Sequence, residues 1–284
     1  MKLVTYSQAG QTRVGRQEGD EIVDLSDVAP DMIALLEGGT DALDRARAAS
    51  GATVAVLDVE ILAPVLRPPK ILAVGLNYAD HIEESGMDKP KLPMIFNKQS
   101  TSAAAPFGPI HLPKVSPLLD YEGELGIVIG RRCRHVPRDR AHEVVAGYVA
   151  ANDVSVRDWQ MRVPTFTMGK SFDTHCPFGP ALVTPDEVGD PHALSLTTHV
   201  NGELRQSTNT KNLIFDCFDL IEHLSTAFTL EPGDLISTGT CGGVAASFKP
   251  PKWLVAGDVV RIEIENVGAI ENTVIDEPED TVRI

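Results

Sequence analysis

The chain reads as α+β and β-rich, with a small N-terminal α/β domain ahead of a larger body. Three observations predict this. Short apolar or alternating segments recur throughout, while a single stretch carries a clear helical repeat. The run Pro64-Val65-Leu66-Arg67-Pro68-Pro69 is stiff and helix-incompatible, so residues 64–69 form a linker between a small domain, 1–63, and a body, 70–284. A length of 284 residues supports one large domain plus a small one with ample core.

In the small domain, Lys2–Ser7, Thr12–Gln17 and Glu21–Leu25 are short strands split by Gly10 and by Gly19-Asp20. Asp31 to about Ala49 reads as helix interrupted at Gly38-Gly39, and Val54–Leu62 as a further strand. In the body the predicted strands are Ile71–Leu76, Leu125–Ile129, Val144–Ala151, Leu194–Val200, Leu235–Thr238 and Val259–Glu265. The last alternates, with Val260, Ile262 and Ile264 on one face, and Asn266-Val267-Gly268 turns it back into Ala269–Ile275. Ile214, Cys217/Phe218, Ile221, Leu224 and Phe228 recur at helical spacing, predicting a helix from Lys211 to Thr229 that stops at Glu231-Pro232-Gly233-Asp234. Its aromatics read as core packing.

Composition narrows the function classes. With 43% hydrophobic and 23% charged residues the chain is of ordinary soluble character, and no apolar run approaches the roughly 18 residues a bilayer span needs. The net charge of −15 argues against a nucleic-acid partner, which requires a basic surface. Arg131, Arg132, Arg134, Arg138 and Arg140 surround Pro137 and read as a solvated loop. Cys133, Cys176, Cys217 and Cys241 have no paired or Cys-x-x-Cys spacing, which suits a reducing cytoplasm and gives no zinc signature. The N-terminal stretch lacks the apolar core of a signal peptide, so a cytoplasmic location is expected.

The most informative stretch is Leu119-Asp120-Tyr121-Glu122-Gly123-Glu124-Leu125-Gly126-Ile127-Val128-Ile129. As a strand, its period of two puts Glu122 and Glu124 on one face, roughly 7 Å apart along the chain. Two like charges at the start of an apolar strand repel. Either the face is solvated or a hard divalent cation, Mg²⁺ or Mn²⁺, accepts both carboxylates. A third acid, Asp153, ends the apolar segment Val144–Asn152. It is open to reading as a helix N-cap, but beside Glu122 and Glu124 a three-carboxylate site that leaves positions for water and substrate is the better account.

Three further segments are too polar for their surroundings. In Val74-Gly75-Leu76-Asn77-Tyr78-Ala79-Asp80-His81-Ile82-Glu83-Glu84, a helix after Asn77 places His81 and Glu84 on one face at i, i+3. The pair is a surface contact or a general base with its tautomer fixed by a carboxylate. Arg157-Asp158-Trp159-Gln160 follows Asp153, and Gly169-Lys170-Ser171 comes next. The latter is not a P-loop, since Pro164 stands at the first glycine position and no strand leads in. Ser237-Thr238-Gly239-Thr240-Cys241-Gly242-Gly243-Val244 has the glycine content of a loop that closely approaches a ligand.

Together, from about Lys70 to Ile275, these segments resemble the fumarylacetoacetate hydrolase family. The resemblance rests on Val74–Tyr78 with His81 and Glu84, Leu119–Leu125, Gly147-Tyr148 through Ser155 with Arg157-Asp158, Gly169–Asp173, Pro177–Pro180 and Thr238-Gly239-Thr240. It implies a twisted mixed β-sandwich or roll, usually homodimeric, with one Mg²⁺ or Mn²⁺ per subunit. The family's metal ligands fall on Glu122, Glu124 and Asp153, its lid dyad on His81 and Glu84, and its active-site lysine on Lys170. Tyr78, Arg157, Gln160 and Thr240 match positions that touch substrate or hold the site together. Cys241 departs from the proline that many members carry, and reads as a packed small side chain rather than a nucleophile.

The implied activity is metal-dependent hydrolysis of the C–C bond of a 2,4-diketo acid, giving pyruvate and a carboxylic acid. His81, oriented by Glu84, would activate water, and Lys170 would steer it or neutralise charge. Oxaloacetate decarboxylation and oxo-acid isomerisation are the alternatives on the same scaffold, and a non-catalytic metal-binding or sugar-acid-binding module is the rival class. The expected partner is a small-molecule 2-oxo acid.

Overall fold

The computed structural model describes residues 1–86 and 88–279. Among the described residues the strands form two large sheets and a two-stranded one, in which Leu119–Asp120 pairs with Ser155–Val156. The larger runs, in spatial order, through Thr53–Ala55, Glu21–Asp24, Gln11–Glu18, Lys2–Gln8, Cys176–Val183, Val145–Asn152, Gly123–Ile129, Leu235–Ser237, Ile71–Gly75 and Met94–Lys98. The smaller orders Glu203–Asn209, Ser195–Val200, Val259–Ile264, Gly268–Asp276 and Ile110–Leu112. Most pairings are antiparallel; Leu235–Ser237 runs parallel to Ile71–Gly75. This is the mixed, sheet-rich fold expected.

The strand Gly123–Ile129 is buried along its whole length. Leu125, Ile127 and Ile129 face a core shared with Leu196, Val260, Ile262 and Ile270 of the smaller sheet. Val128, of the other parity, joins a second core with Leu3, Met32, Leu35 and Leu36 from the N-terminal region. A solvated strand face, the alternative left open above, is therefore excluded: both faces are covered.

Residues 1–63 hold the expected strands and a helix broken at Gly38 into Met32–Glu37 and Gly39–Ala48. They are continuous with the body through one sheet, since Lys2 and Leu3 pair with Val183 and Leu182. Val54–Leu62 is not one strand. It breaks into Thr53–Ala55, a 3₁₀ turn and Glu60–Leu62, with Leu57 left in solvent.

The long helix is shorter than its apolar period suggests. It spans Cys217–Ala227 because Asp216 takes the N–H groups of Phe218 and Asp219 in a capping box, fixing the start. Ile214 belongs instead to the preceding segment, where its N–H donates to Asn77 O at 2.9 Å. Among the described residues, no helix is long and apolar enough to cross a membrane.

Candidate functional site

Two neighbouring strands bring the acids together. Gly123–Ile129 pairs with Val145–Asn152 so that Gly123 lies opposite Asn152, placing Glu122 and Asp153 side by side just beyond the pairing. The Asp153 N–H donates to Glu122 O at 2.9 Å, and the Glu122 N–H to Asn152 Oδ1 at 3.0 Å. Glu122, Glu124 and Asp153 are all buried, and a carboxylate oxygen from each lies within 4.8 Å of the others.

The three acids are not equivalent. Lys170 Nζ donates to Glu122 Oε2 and Asp153 Oδ2, both at 2.8 Å. Arg157 Nη1 donates to Glu122 Oε1 at 2.7 Å, while its Nε holds Asp120 Oδ2 at 2.8 Å. Burial alone would raise the Glu122 pKa, but the Lys170 and Arg157 cations overcome it and hold the carboxyl well below its ordinary range. Glu124 has hydrogen bonds from Ser237 Oγ at 2.6 Å and Gly239 N at 2.8 Å but no ion pair among the described residues. Burial, with Asp153 and Glu122 as like charges, pushes its pKa well up. A divalent cation would relieve that repulsion, and three carboxylate oxygens are a hard donor set suited to Mg²⁺ or Mn²⁺. The residues present therefore fit such an ion.

The helix Ala79–Ser85 carries the His–Glu pair over this cluster. It starts where Asn77 is fixed: Nδ2 donates to Thr238 O at 2.7 Å and Phe215 O at 2.9 Å, while Oδ1 accepts from Phe215 N at 2.8 Å. Gly239 is required beside it. A Cβ there would lie 2.8 Å from Asn77 Cβ and from Val74 O. His81 Nδ1 is 3.5 Å from Glu84 Oε2, an ion-pair separation longer than a formed hydrogen bond. Glu84 in turn accepts from Gly243 N at 2.9 Å, docking the helix on the glycine-rich loop.

These groups share a cavity of about 360 Å³, near the lower end of the roughly 300–1,000 Å³ common for ligand pockets. His81, Glu84, Glu122, Arg157, Gln160, Lys170 and Thr240 line it, with Val74, Leu76, Phe96 and Phe166 among its apolar walls. Of the three acids only Glu122 is on this wall. Tyr78, expected at the substrate, is not on this wall. It packs in the main core with its hydroxyl unpartnered. Gln206 supports the loop instead, donating to Thr240 Oγ1 at 2.8 Å and accepting from Gly123 N at 2.9 Å.

Sequence reasoning missed Lys98 and Asp120. Lys98 is buried with Nζ 2.7 Å from Asp153 Oδ1. Its signal was parity: in Met94–Lys98 it points inward with Phe96 while Asn97 points out. Asp120 is fully buried and accepts from Ala245 N at 2.7 Å and Ala246 N at 3.1 Å as well as from Arg157. Cys241 is a buried, packed side chain as expected, its thiol pushed up to about 12, chiefly by burial.

Known proteins share this architecture. Residues 70–275 match the family described as fumarylacetoacetate (FAA) hydrolase C-terminal. The mitochondrial oxaloacetate tautomerase of Xenopus laevis is 42% identical over 288 residues, covering 97% of this chain and 90% of that protein. The fumarylacetoacetate hydrolase of the psychrophile Exiguobacterium antarcticum superposes with a TM-score of 0.87 at 37% identity, over 98% of this chain and 100% of that one. The maleylpyruvate hydrolase of Sphingobium sp. SYK-6, solved with manganese(II) and pyruvate, gives a TM-score of 0.82 at 33% identity over the same shares. From the matched span and the full-length relatives alike, the chain belongs to the fumarylacetoacetate hydrolase family.

Proposed function

We propose that the chain is a divalent-metal-dependent enzyme of small 2-oxo acids that moves a proton at the carbon beside the oxo group, with keto–enol tautomerisation of oxaloacetate as its reaction. The observation that carries this is the placement of His81 and Glu84 in one small cavity with Glu122, at the edge of a three-carboxylate cluster. An ion held by Glu122, Glu124 and Asp153 would supply Lewis-acid polarisation of the 2-oxo group and a docking point for the acid. With Nδ1 turned to Glu84, His81 Nε2 is the nitrogen left to take the enol O–H proton and deliver one to C3. Lys170 and Arg157 keep Glu122 ionised and offset the negative charge that develops on the substrate. Apolar walls limit water around the exchanging proton. The tautomerase name of a relative that is 42% identical over 97% of the chain supports oxaloacetate as the acid.

A second reading is hydrolysis of the C–C bond of a 2,4-diketo acid, with His81 activating water. The apolar lining favours it, because an acyl tail would pack against Leu76, Phe96 and Phe166, and a hydrolase is among the structural neighbours. Either reading carries homodimeric assembly, tested by sedimentation against the 30.6 kDa chain mass. The deciding experiment supplies enol-oxaloacetate and, separately, a panel of acylpyruvates to Mn²⁺-loaded enzyme. Loss of enol ultraviolet absorbance is followed for the first and pyruvate release for both. Accelerated enol loss without pyruvate is expected. No acceleration over buffer sinks the tautomerase reading, and pyruvate from acylpyruvates establishes the second.

A further inference from the structure

The strand Met94–Lys98 closes the edge of the large sheet, and its two inward side chains reach the ion-pair cluster, Phe96 at Lys170 and Lys98 at Asp153. The Phe96 ring centroid lies 5.0 Å from Lys170 Nζ. Two residues on, Lys98 Nζ is 2.7 Å from Asp153 Oδ1 and 3.3 Å from Val154 O, with its side chain wholly out of water. An inward lysine on an apolar strand is costly unless paired. Here its partner is an acid that already has a cation, Lys170, on its other oxygen.

Four buried acids, Asp120, Glu122, Glu124 and Asp153, meet two buried cations, Lys98 and Lys170, and the partly buried Arg157. Arg157 joins Asp120 to Glu122, Lys170 joins Glu122 to Asp153, and Lys98 ends the chain on Asp153. Only Glu124 among these acids lacks an ion pair with the described residues, so the cations are one short of the acids. With both Asp153 oxygens tethered, the carboxylate cannot rotate about its terminal torsion, which is otherwise broad.

We propose that Lys98 is a positioning residue: it acts through Asp153, holding that carboxylate oriented as part of the donor set for the divalent ion. The inference rests on the metal reading above. Lys98 lies outside the cavity wall and touches no substrate position. Removing it takes away a positive charge, which on Coulombic grounds alone would tighten cation binding. It also frees a buried carboxylate to turn away from the donor geometry. The second effect dominates, because partners that orient metal ligands contribute about 10–100-fold in affinity.

The test is Mn²⁺ binding to the purified full chain, measured by calorimetry and by the electron-spin resonance line shape of the bound ion. Lys98→Met is expected to weaken binding about 10–100-fold and to alter the line shape, with Lys98→Gln, which keeps a neutral donor, in between. Lys98→Met/Asp153→Asn is expected to bind no worse than Asp153→Asn alone, as required if Lys98 works through Asp153. Unchanged or tighter binding in Lys98→Met, or additive losses in the double variant, overturns the proposal. If Lys98→Met does not fold, Lys98→Gln decides: wild-type affinity and line shape overturn it. Failure of the unaltered protein to bind Mn²⁺ overturns the metal reading itself, a distinguishable result.

Discussion

Glu124 shows how one residue can be unfavourable for the apo fold and necessary for the site. Its carboxylate is buried beside Asp153 and Glu122 without an ion pair among the described residues, and its pKa is raised accordingly. Glutamine at this position keeps an oxygen to accept from Ser237 Oγ and Gly239 N while removing the repulsion. Glu124→Gln should therefore lose Mn²⁺ binding in calorimetry while its metal-free melting temperature stays equal or rises. A large fall in that temperature would mean the charge itself supports the fold. Cys241 makes the opposite case, a reactive atom held inert. Burial first, then the negative charge of Asp80, push its thiol up to about 12, so almost no thiolate exists at neutral pH. Iodoacetamide should leave it unlabelled in native protein and label it in urea. Cys241→Ala should retain activity, and abolished turnover would require thiol chemistry instead.

Short helices, rather than long ones, place the cationic side of the site. Arg157–Gln160 and Thr167–Lys170 pack at Gly169, where a Cβ would come within 2.1 Å of Gln160 N and 2.4 Å of its Cα. Neither atom can yield, since both are backbone. Gly169→Ala must push the two helices apart and carry Lys170 off Glu122 and Asp153. The expected outcome is a folded protein with its turnover and Mn²⁺ affinity both reduced, seen in kinetics and calorimetry on one preparation. Wild-type values for both would show that Lys170 placement does not depend on this contact. The edge strand Met94–Lys98 plays the matching role from the other side, through Phe96 and Lys98.

At the scale of the molecule, the N-terminal strands, the body sheet and the smaller sheet enclose groups that titrate far from their usual range. His175 is fully buried, with Nε2 2.8 Å from His111 O, and burial lowers its pKa to about 3. The unfolded imidazole titrates near 6.5. Between those values the unfolded chain binds the extra proton, so stability falls as pH drops from about 6.5 toward 3, by up to about 1.4 kcal/mol per pH unit for one group. Urea unfolding at stepped pH should show this acid loss, and His175→Asn should show a shallower one. An identical slope in the variant would remove His175 from the acid response.

By itself the sequence determined the parity of Leu125–Ile129, the i, i+3 pairing of His81 with Glu84, and the break at Gly38. Each is a local property, because backbone period and conformational freedom act over a few residues. The tertiary structure alone decided what stands opposite those faces. Cys176–Val183 joins the N-terminal strands to the body although its prolines argue against a strand. A register shift between Tyr148 and Ala150 interrupts its pairing with Val145–Asn152. Tyr78 turned into the core, and Lys98 reached Asp153 across 55 positions of chain. Periodicity tells which side chains share a side; only packing tells which charge meets them there, and at this site the paired charges decide which acid is left for a metal.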